Sequence, residues 1–141
     1  MQPLFAVVDE STIAALVDRF YAAVRQDEHL GPVFDAAIAP DAWPIHLTKM
    51  YAFWSSVMLS TGRYKGNPVV VHQGVDGLAP ELFGHWLELF EAAALELFVP
   101  SIAQEFAVRA RRIAESLKLA LFFRPNQPWT DDLRDRPPLD A

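Results

Sequence analysis

Apolar residues recur at helical spacing along most of the chain. In the first such stretch, the i, i+3, i+4, i+7, i+8, i+11 pattern is occupied by Ile13, Leu16, Val17, Phe20, Tyr21 and Val24. This pattern predicts a helix with one buried face, with Ser11 or Thr12 as its N-cap. The next stretch, residues 29–41, is broken by one glycine and two prolines, and it leaves room for only a turn or two of irregular helix.

A second long helix is expected from Asp41 to near Gly62, with Pro44 in the first turn, where a missing N–H is tolerated. Its inner face carries Trp43, His46, Leu47, Met50, Phe53, Trp54, Val57 and Met58. The twenty residues 61–80 then contain four Gly and two Pro. The valines at 69–71 are strand-like but have no partner strand. This part of the chain is therefore predicted to be a long connection with at most one helical turn.

Two more long helices complete the pattern. The third starts near Pro80 and places Leu82, Phe83, Trp86, Phe90, Ala93 and Leu97 at helical spacing. The fourth is expected to open with a capping box from Ser101 to Gln104 and to run to Phe123. The fold class is therefore all-α, with one domain over residues 1–124. Residues 125–141 are rich in proline and charge and predict a disordered tail.

Composition narrows the possible functions. A net charge of -6 argues against a nucleic-acid partner, and the absence of cysteine rules out disulfides and covalent haem attachment. The N-terminus does not resemble a signal peptide, and the uncharged stretch in the middle of the chain is too short to span a membrane. We therefore expect a cytoplasmic protein with no membrane partner. Ten Phe and four Trp indicate either an aromatic core or a buried apolar ligand.

The four histidines are the first candidates for chemistry. His29 lies in a polar turn and is expected to be solvated, and His85 is expected to point away from the core, about 100° around its helix from Trp86. His46 lies on a buried stripe, and His72 follows three valines. Either one alone is more often a core histidine than a ligand. Both together, in so aromatic a chain, suggest two imidazoles facing one apolar slot, which is an environment that suits haem.

Two other polar groups lie on apolar faces. The hydroxyl of Tyr21 and the indole N–H of Trp86 each need a partner, because burying either one without a hydrogen bond is costly. Each side chain is either a core aromatic bonded to a nearby carbonyl or a donor to a bound ligand, and the residue pattern alone does not decide between these interpretations.

Three segments and one histidine carry a family resemblance. The segments are "FYAAVRQDEHLGPVF", "HLTKMYAFWSSVMLSTGRYKGNP" and "ELFGHWLELF", and the histidine is the one that follows the valines. They resemble the group III truncated haemoglobins of bacteria, small globins whose helices form a two-over-two sandwich around haem. The similarity extends from about Ile13 to Phe123. The stretch "QGVDGLAP" matches the family poorly, and the proline-rich tail is an addition.

The resemblance implies a role for each matched residue. His72 would be the proximal ligand to the iron of haem b, with Tyr21, His46 and Trp86 on the distal side. The residues expected to contact the haem face or wall the ligand cavity are Phe34, Met50, Phe53, Trp54, Phe83 and Phe90. Lys49 and Arg63 are candidates for the haem propionates, by position and charge.

These roles predict a haem protein that binds O₂, NO, CO or peroxide. Several donors around the ligand imply slow release, which favours O₂-dependent detoxification of NO or peroxide, with electrons from an unidentified reductase. One alternative is a non-catalytic module, either for oxygen transport or for gas sensing, and another is a haem-free helical interaction protein. The acidic surface without an evident apolar stripe predicts a monomer.

Overall fold

A computed structural model describes residues 3–122. Within this range every regular element is helical, so the predicted all-α class is confirmed. The elements are α1 (Glu10–Gln26), α2 (Leu30–Ala37), a 3-10 turn (Pro40–Ala42), α3 (Trp43–Leu59), α4 (Pro68–Gln73), α5 (Pro80–Leu97) and α6 (Pro100–Phe122). The predicted tail, residues 125–141, and the predicted domain end at residue 124 lie outside the described residues.

The long helices pack as two pairs. Helix α1 packs on α3, α5 packs on α6, and contacts between α1 and α5 join the two pairs. Helix α2 lies against α1, and α4 packs on α6. Helices α3 and α4 therefore have different main partners, α1 and α6.

Aromatic rings fill the junction of the pairs. Phe20 on α1 meets Phe90 on α5 edge to face, with ring centroids 5.3 Å apart. Trp54 on α3 stacks on the same Phe90 at 4.8 Å, and Phe106 on α6 closes the cluster. Burying each such side chain stabilises the fold by about 1.5–3 kcal/mol. Part of the aromatic excess in the sequence is therefore ordinary core.

Helix starts differ from the predictions, because the capping side chains lie elsewhere. Asp9, not Ser11 or Thr12, is the N-cap of α1: its carboxylate accepts from the Thr12 backbone N–H at 2.9 Å, and the Thr12 hydroxyl accepts from the Asp9 N–H. The capping box predicted at Ser101 is wrong, because α6 already begins at Pro100. A proline fits the first position of a helix, which has no need of its N–H.

The end of α3 also lies earlier than predicted. The helix stops at Leu59, and Ser60 follows in the left-handed conformation with φ 58°. Gly62, the expected terminator, also has a positive φ of 69°, but it lies beyond the cap. Pro44 does lie in the first turn of α3, as predicted.

The corner between α1 and α2 depends on a glycine. A Cβ on Gly31 would lie 3.0 Å from the carbonyl oxygen of Arg25, which is closer than a normal contact. The Gly31 N–H donates to the Asp27 carbonyl at 2.8 Å. This close approach explains the glycine in "LGPVF" and directs Phe34 towards α1.

Candidate functional site

His72 lies on α4, which is longer than the single turn that the sequence predicts. The Asn67 side chain accepts hydrogen bonds from the N–H groups of Val69 and Val70, and Pro68 occupies the first turn. Because Asn67 and Pro68 together start a helix, the three valines are helical and not extended. Their helix carries His72 in its last turn, half-buried.

The imidazole of His72 has a defined tautomer. Its Nδ1 lies 2.6 Å from the carbonyl oxygen of Pro68. Because a carbonyl only accepts, Nδ1 must donate, and the lone pair of the neutral ring is then on Nε2. A histidine held in this way by a backbone carbonyl is the usual form of a metal-ligating imidazole.

An apolar wall and a cavity adjoin this imidazole. The Phe83 ring lies 6.5 Å from it, between centroids, and packs in turn on Phe122. A cavity of about 200 Å³ lies between α4 and the end of α6, lined by His72, Gln73, Leu78, Ala120, Leu121 and Phe122. His72 is therefore flanked by apolar side chains on the α5 and α6 side.

A cluster of polar aromatic side chains lies on α1 and α3. The Tyr21 ring is 5.0 Å from that of His46 and 5.9 Å from that of Trp43, and the Trp43 and His46 rings are 5.4 Å apart. Tyr21 is buried, and this burial raises its pKa above the usual range. Tyr21 therefore stays protonated at neutral pH and keeps an O–H to donate.

Two buried nitrogens in this cluster lack partners. Among residues 3–122, neither Nε2 of His46 nor Nε1 of Trp43 has a hydrogen-bond partner. Leaving a buried polar atom unsatisfied costs about 1–3 kcal/mol, and such atoms are rare in folded proteins. Both nitrogens are thus available to a bound molecule. The sequence pattern placed Trp43 on the inner face only as an apolar residue. Its position three residues before His46 is the signal that indicates a second polar group there.

The pKa of His46 depends on its burial and on nearby charges. Burial lowers the pKa of His46, and the positive charges of Lys49 and His72 lower it further. His46 on α3 is therefore near enough to Lys49 and to His72 on α4 for their charges to act on it. His46 is neutral at pH 7, so its Nε2 either accepts or donates a proton depending on the tautomer.

Trp86 is positioned through Phe20. Its ring stacks on Phe90 at 5.6 Å and meets Phe20 edge to face at 5.6 Å. Phe20 also contacts Tyr21, at 4.8 Å. The structure thus brings Tyr21 and His46 into direct contact, and Trp86 adjoins them across the Phe20 ring.

The other predicted contact residues fall into two groups. Phe34, Met50 and Phe53 are partly exposed, whereas Trp54, Phe83 and Phe90 are buried. Phe34 packs on Tyr21 at 5.9 Å and on Trp43 at 6.5 Å. Phe83 lies beside His72, and Trp54 and Phe90 belong to the aromatic cluster at the junction of the helix pairs.

The two predicted propionate partners are both exposed. Arg63 forms an ion pair with Glu10 at the start of α1, with 2.5 Å between Nη1 and Oε1. Lys49 lies on α3 one turn beyond His46, and its charge acts on that imidazole. Of the two, Lys49 is the cation that is electrostatically coupled to the site.

The chain is similar to known proteins over most of its length. It is 32% identical over 120 residues to the group 3 truncated hemoglobin ctb of Campylobacter jejuni, covering 84% of this chain and 94% of that protein. The crystal structure of a group III truncated hemoglobin from Campylobacter jejuni superposes with a TM-score of 0.81 and 31% identity, covering 86% of this chain and 97% of the other. No protein-family model matches the chain.

This chain is a group III truncated haemoglobin. The identity over nearly the whole relative confirms the family resemblance, and the structural match confirms the truncated-globin fold with its two-over-two helical sandwich. Membership of this family supports a globin role in haem binding. None of the described helices of this truncated haemoglobin is long and apolar enough to cross a membrane.

The residues present fit a haem group. Haem requires one neutral imidazole with a free lone pair, and the Nε2 of His72 would meet this need. A ligand on the iron would be stabilised by polar atoms that have no partner among residues 3–122, and Nε2 of His46 and Nε1 of Trp43 are two such atoms. The apolar ring of Phe83 beside His72 suits the porphyrin face.

Proposed function

We propose that this truncated haemoglobin binds haem b, that His72 would hold the haem iron, and that Tyr21, His46 and Trp86 would contact a diatomic ligand or peroxide bound there. The single observation that carries the proposal is the hydrogen bond from His72 Nδ1 to the Pro68 carbonyl, which leaves Nε2 free. When bound, the haem supplies an iron that takes a small ligand and changes its redox state.

Tyr21 is the principal donor to that ligand. Its raised pKa keeps the O–H intact, and its ring is fixed by contacts with Phe20, Phe34, Trp43 and His46. A fixed donor costs little reorganisation when negative charge develops on a ligand. We infer that Tyr21 and Trp86 donate to the ligand and slow its release.

His46 is suited to moving a proton. Its lowered pKa makes the neutral ring dominant at pH 7, so that Nε2 can take a proton from peroxide and return it. The same ring is partly exposed, and by turning outward it would control the entry of the small ligand. Both roles rest on its unpaired Nε2.

The reaction that suits slow ligand release is detoxification. NO, O₂ and one electron together give nitrate, and peroxide with two electrons and two protons gives two waters. An electron-donating reductase supplies the electrons in both reactions. We infer a monomer in the cytoplasm, which sedimentation and cell fractionation test directly. A carrier or gas sensor would instead bind O₂ reversibly and show no NO-dependent or peroxide-dependent turnover.

The deciding experiment is absorption spectroscopy of the ferric, ferrous and ferrous-CO forms, with His72→Ala as the variant. We expect a Soret band that shifts with CO and that is lost or strongly altered in His72→Ala. The matched control is His29→Ala, which removes an exposed imidazole that the proposed iron site does not use, and it should keep the wild-type spectrum. A wild-type chain without a Soret band after reconstitution would contradict haem binding, and an unchanged His72→Ala spectrum would contradict the ligand.

A further inference from the structure

Three side chains of types that bind metals converge where the junction of α1 and α2 meets α5. Asp27 follows the last residue of α1, His29 precedes α2, and His85 lies in the second turn of α5. One ligand atom from each lies within 4.8 Å of the others. The sequence pattern assigned no role to this group, because it predicted His29 as solvated and His85 as directed away from the core.

Asp27 is the best-fixed member of the group. One carboxylate oxygen accepts from the backbone N–H groups of His29 and Leu30, at 3.0 and 2.8 Å. The other oxygen lies 2.7 Å from Nε2 of His85. The Asp27 side chain is only 14% exposed. Its second oxygen therefore faces the two imidazoles in a defined orientation.

The two imidazoles face each other. The rings of His29 and His85 meet edge to face with centroids 5.2 Å apart. His29 makes no side-chain capping bond to α2, so helix capping does not explain its position. Glu88, one turn along α5, lies 3.6 Å from Nδ1 of His85 and helps to orient this ring, as carboxylates do for ligating histidines.

We propose that Asp27, His29 and His85 bind one divalent transition-metal ion at this corner. Two imidazole nitrogens and one carboxylate oxygen suit zinc and its neighbours, whereas Mg²⁺ and Ca²⁺ prefer oxygen ligands alone. The ion takes the place of the proton now shared by His85 and Asp27. Two atoms bound to one tetrahedral zinc lie roughly 3.3 Å apart, so the His85–Asp27 pair at 2.7 Å would open by roughly 0.6 Å. All three ligand atoms, now within 4.8 Å of one another, would take up that spacing. Three protein ligands leave a coordination position for water.

The bound ion would link three helices next to the distal residues. His85 adjoins Trp86 on α5, and Asp27 lies less than two turns after Tyr21 on α1. An ion that fixes the end of α1 to α5 therefore restrains the frame that carries both proposed donors. This role is independent of haem, because none of the three ligands belongs to the proposed iron site.

The test is calorimetric titration of the full-length protein with Zn²⁺, after treatment with a chelator and with its haem content recorded. We expect one site of micromolar affinity. His29→Ala and His85→Ala should each weaken it by at least about tenfold, since even outer partners of a zinc site contribute that much. Asp35→Asn is the matched control. It removes a neighbouring exposed carboxylate that is not a ligand, and it should bind Zn²⁺ as the wild type does.

X-ray absorption at the zinc edge identifies the ligands. We expect two imidazoles at about 2.0–2.1 Å from the ion. Equal affinity in the wild type and both histidine variants would overturn the proposal, as would binding only in the millimolar range. Because both variants keep His46 and His72, a failed zinc result and a failed haem result are separate outcomes.

Discussion

Single side chains carry the ligand chemistry proposed for this truncated haemoglobin. Tyr21 is buried as a residue and its hydroxyl has no hydrogen-bond partner among residues 3–122, so the hydroxyl is available to a ligand. His46 and Trp43 each bring a buried nitrogen to the same cluster. Unsatisfied polar atoms reduce stability, so their concentration in one place supports the proposal of a ligand site there.

Replacing Tyr21 with Phe should speed the release of O₂ by about 10- to 100-fold, because one hydrogen bond of about 1–3 kcal/mol is lost. Stopped-flow displacement of O₂ by CO measures this rate. Tyr51→Phe is the control, since the Tyr51 hydroxyl donates to Asp18 at the surface. Equal release rates in the wild type and Tyr21→Phe would exclude Tyr21 as a donor.

The His85–Asp27 pair should make stability depend on pH. The hydrogen bond to Asp27 raises the pKa of His85, against a smaller opposing effect of burial. Burial acts to raise the pKa of Asp27, but hydrogen bonds from Leu30, His85 and His29 outweigh it and leave this pKa lowered. The stabilisation from His85 is therefore fully present below its unfolded pKa, and it is lost as the pH rises through its folded pKa.

Urea unfolding with chelator present, at several pH values from about 5.5 to 8.5, measures this effect around the histidine pKa. As the pH rises, the free energy of unfolding of the wild type should fall by roughly 0.5–1 kcal/mol relative to that of His85→Gln, which is the usual magnitude for a partly exposed pair. Parallel stability curves for the two proteins would show that the pair contributes nothing.

At the scale of elements, α4 determines the direction of His72. It has only six residues, and Asn67 caps two of its N–H groups. Asn67→Ala should destabilise this helix by about 0.5–2 kcal/mol and loosen the imidazole that it carries. We expect faster haem loss from this variant, measured by transfer to a scavenger protein. Asn67→Asp keeps the cap and should lose haem at the wild-type rate. Haem loss from Asn67→Ala at the wild-type rate would show that α4 does not need the cap.

The long helices were predictable because each buries a regular apolar stripe. The short helix α4 was harder to predict, because the valines before His72 have strand propensity. The cap at Asn67 and the contact of α4 with α6 favour the helix instead. Asp9 was overlooked as a cap because Ser11 and Thr12 are equally good capping residues by type. The Asp27–His85 pair joins residues 58 positions apart, a contact that no local pattern contains.

At the scale of the whole molecule, Phe90 connects the two helix pairs. It is fully buried and contacts rings from α1, α3, α5 and α6. Phe90→Ala should lower the free energy of unfolding by about 3–5 kcal/mol, as is usual for a core aromatic residue. Urea unfolding measures the loss. Leu95→Ala, at a site 59% exposed on the same helix, should change stability little. A small change in the free energy of unfolding of Phe90→Ala would mean that the two helix pairs pack stably without this ring.

The family resemblance predicted the architecture, which the structural match confirms, but not the distances between side chains. Those distances depend on how tilted helices meet, as at Gly31, where the backbone of α2 lies against the carbonyl of Arg25. The same limitation applies to Trp43, which the sequence pattern places on the inner face only as an apolar residue. Whether its indole nitrogen has a hydrogen-bond partner depends on the positions of all the neighbouring residues, which the sequence does not give.

The bridge between Phe5 and the end of α5 also bears on how the protein is made. The Phe5 N–H donates to the Leu97 carbonyl, and the Val99 N–H donates to the Phe5 carbonyl. Ribosomes add roughly 5–20 residues per second, so about 5 to 20 s pass between the synthesis of Phe5 and that of Val99. For most of that interval the apolar face of α1 has no α5 to cover it, so a nascent chain of this globin exposes that face until α5 has been synthesised.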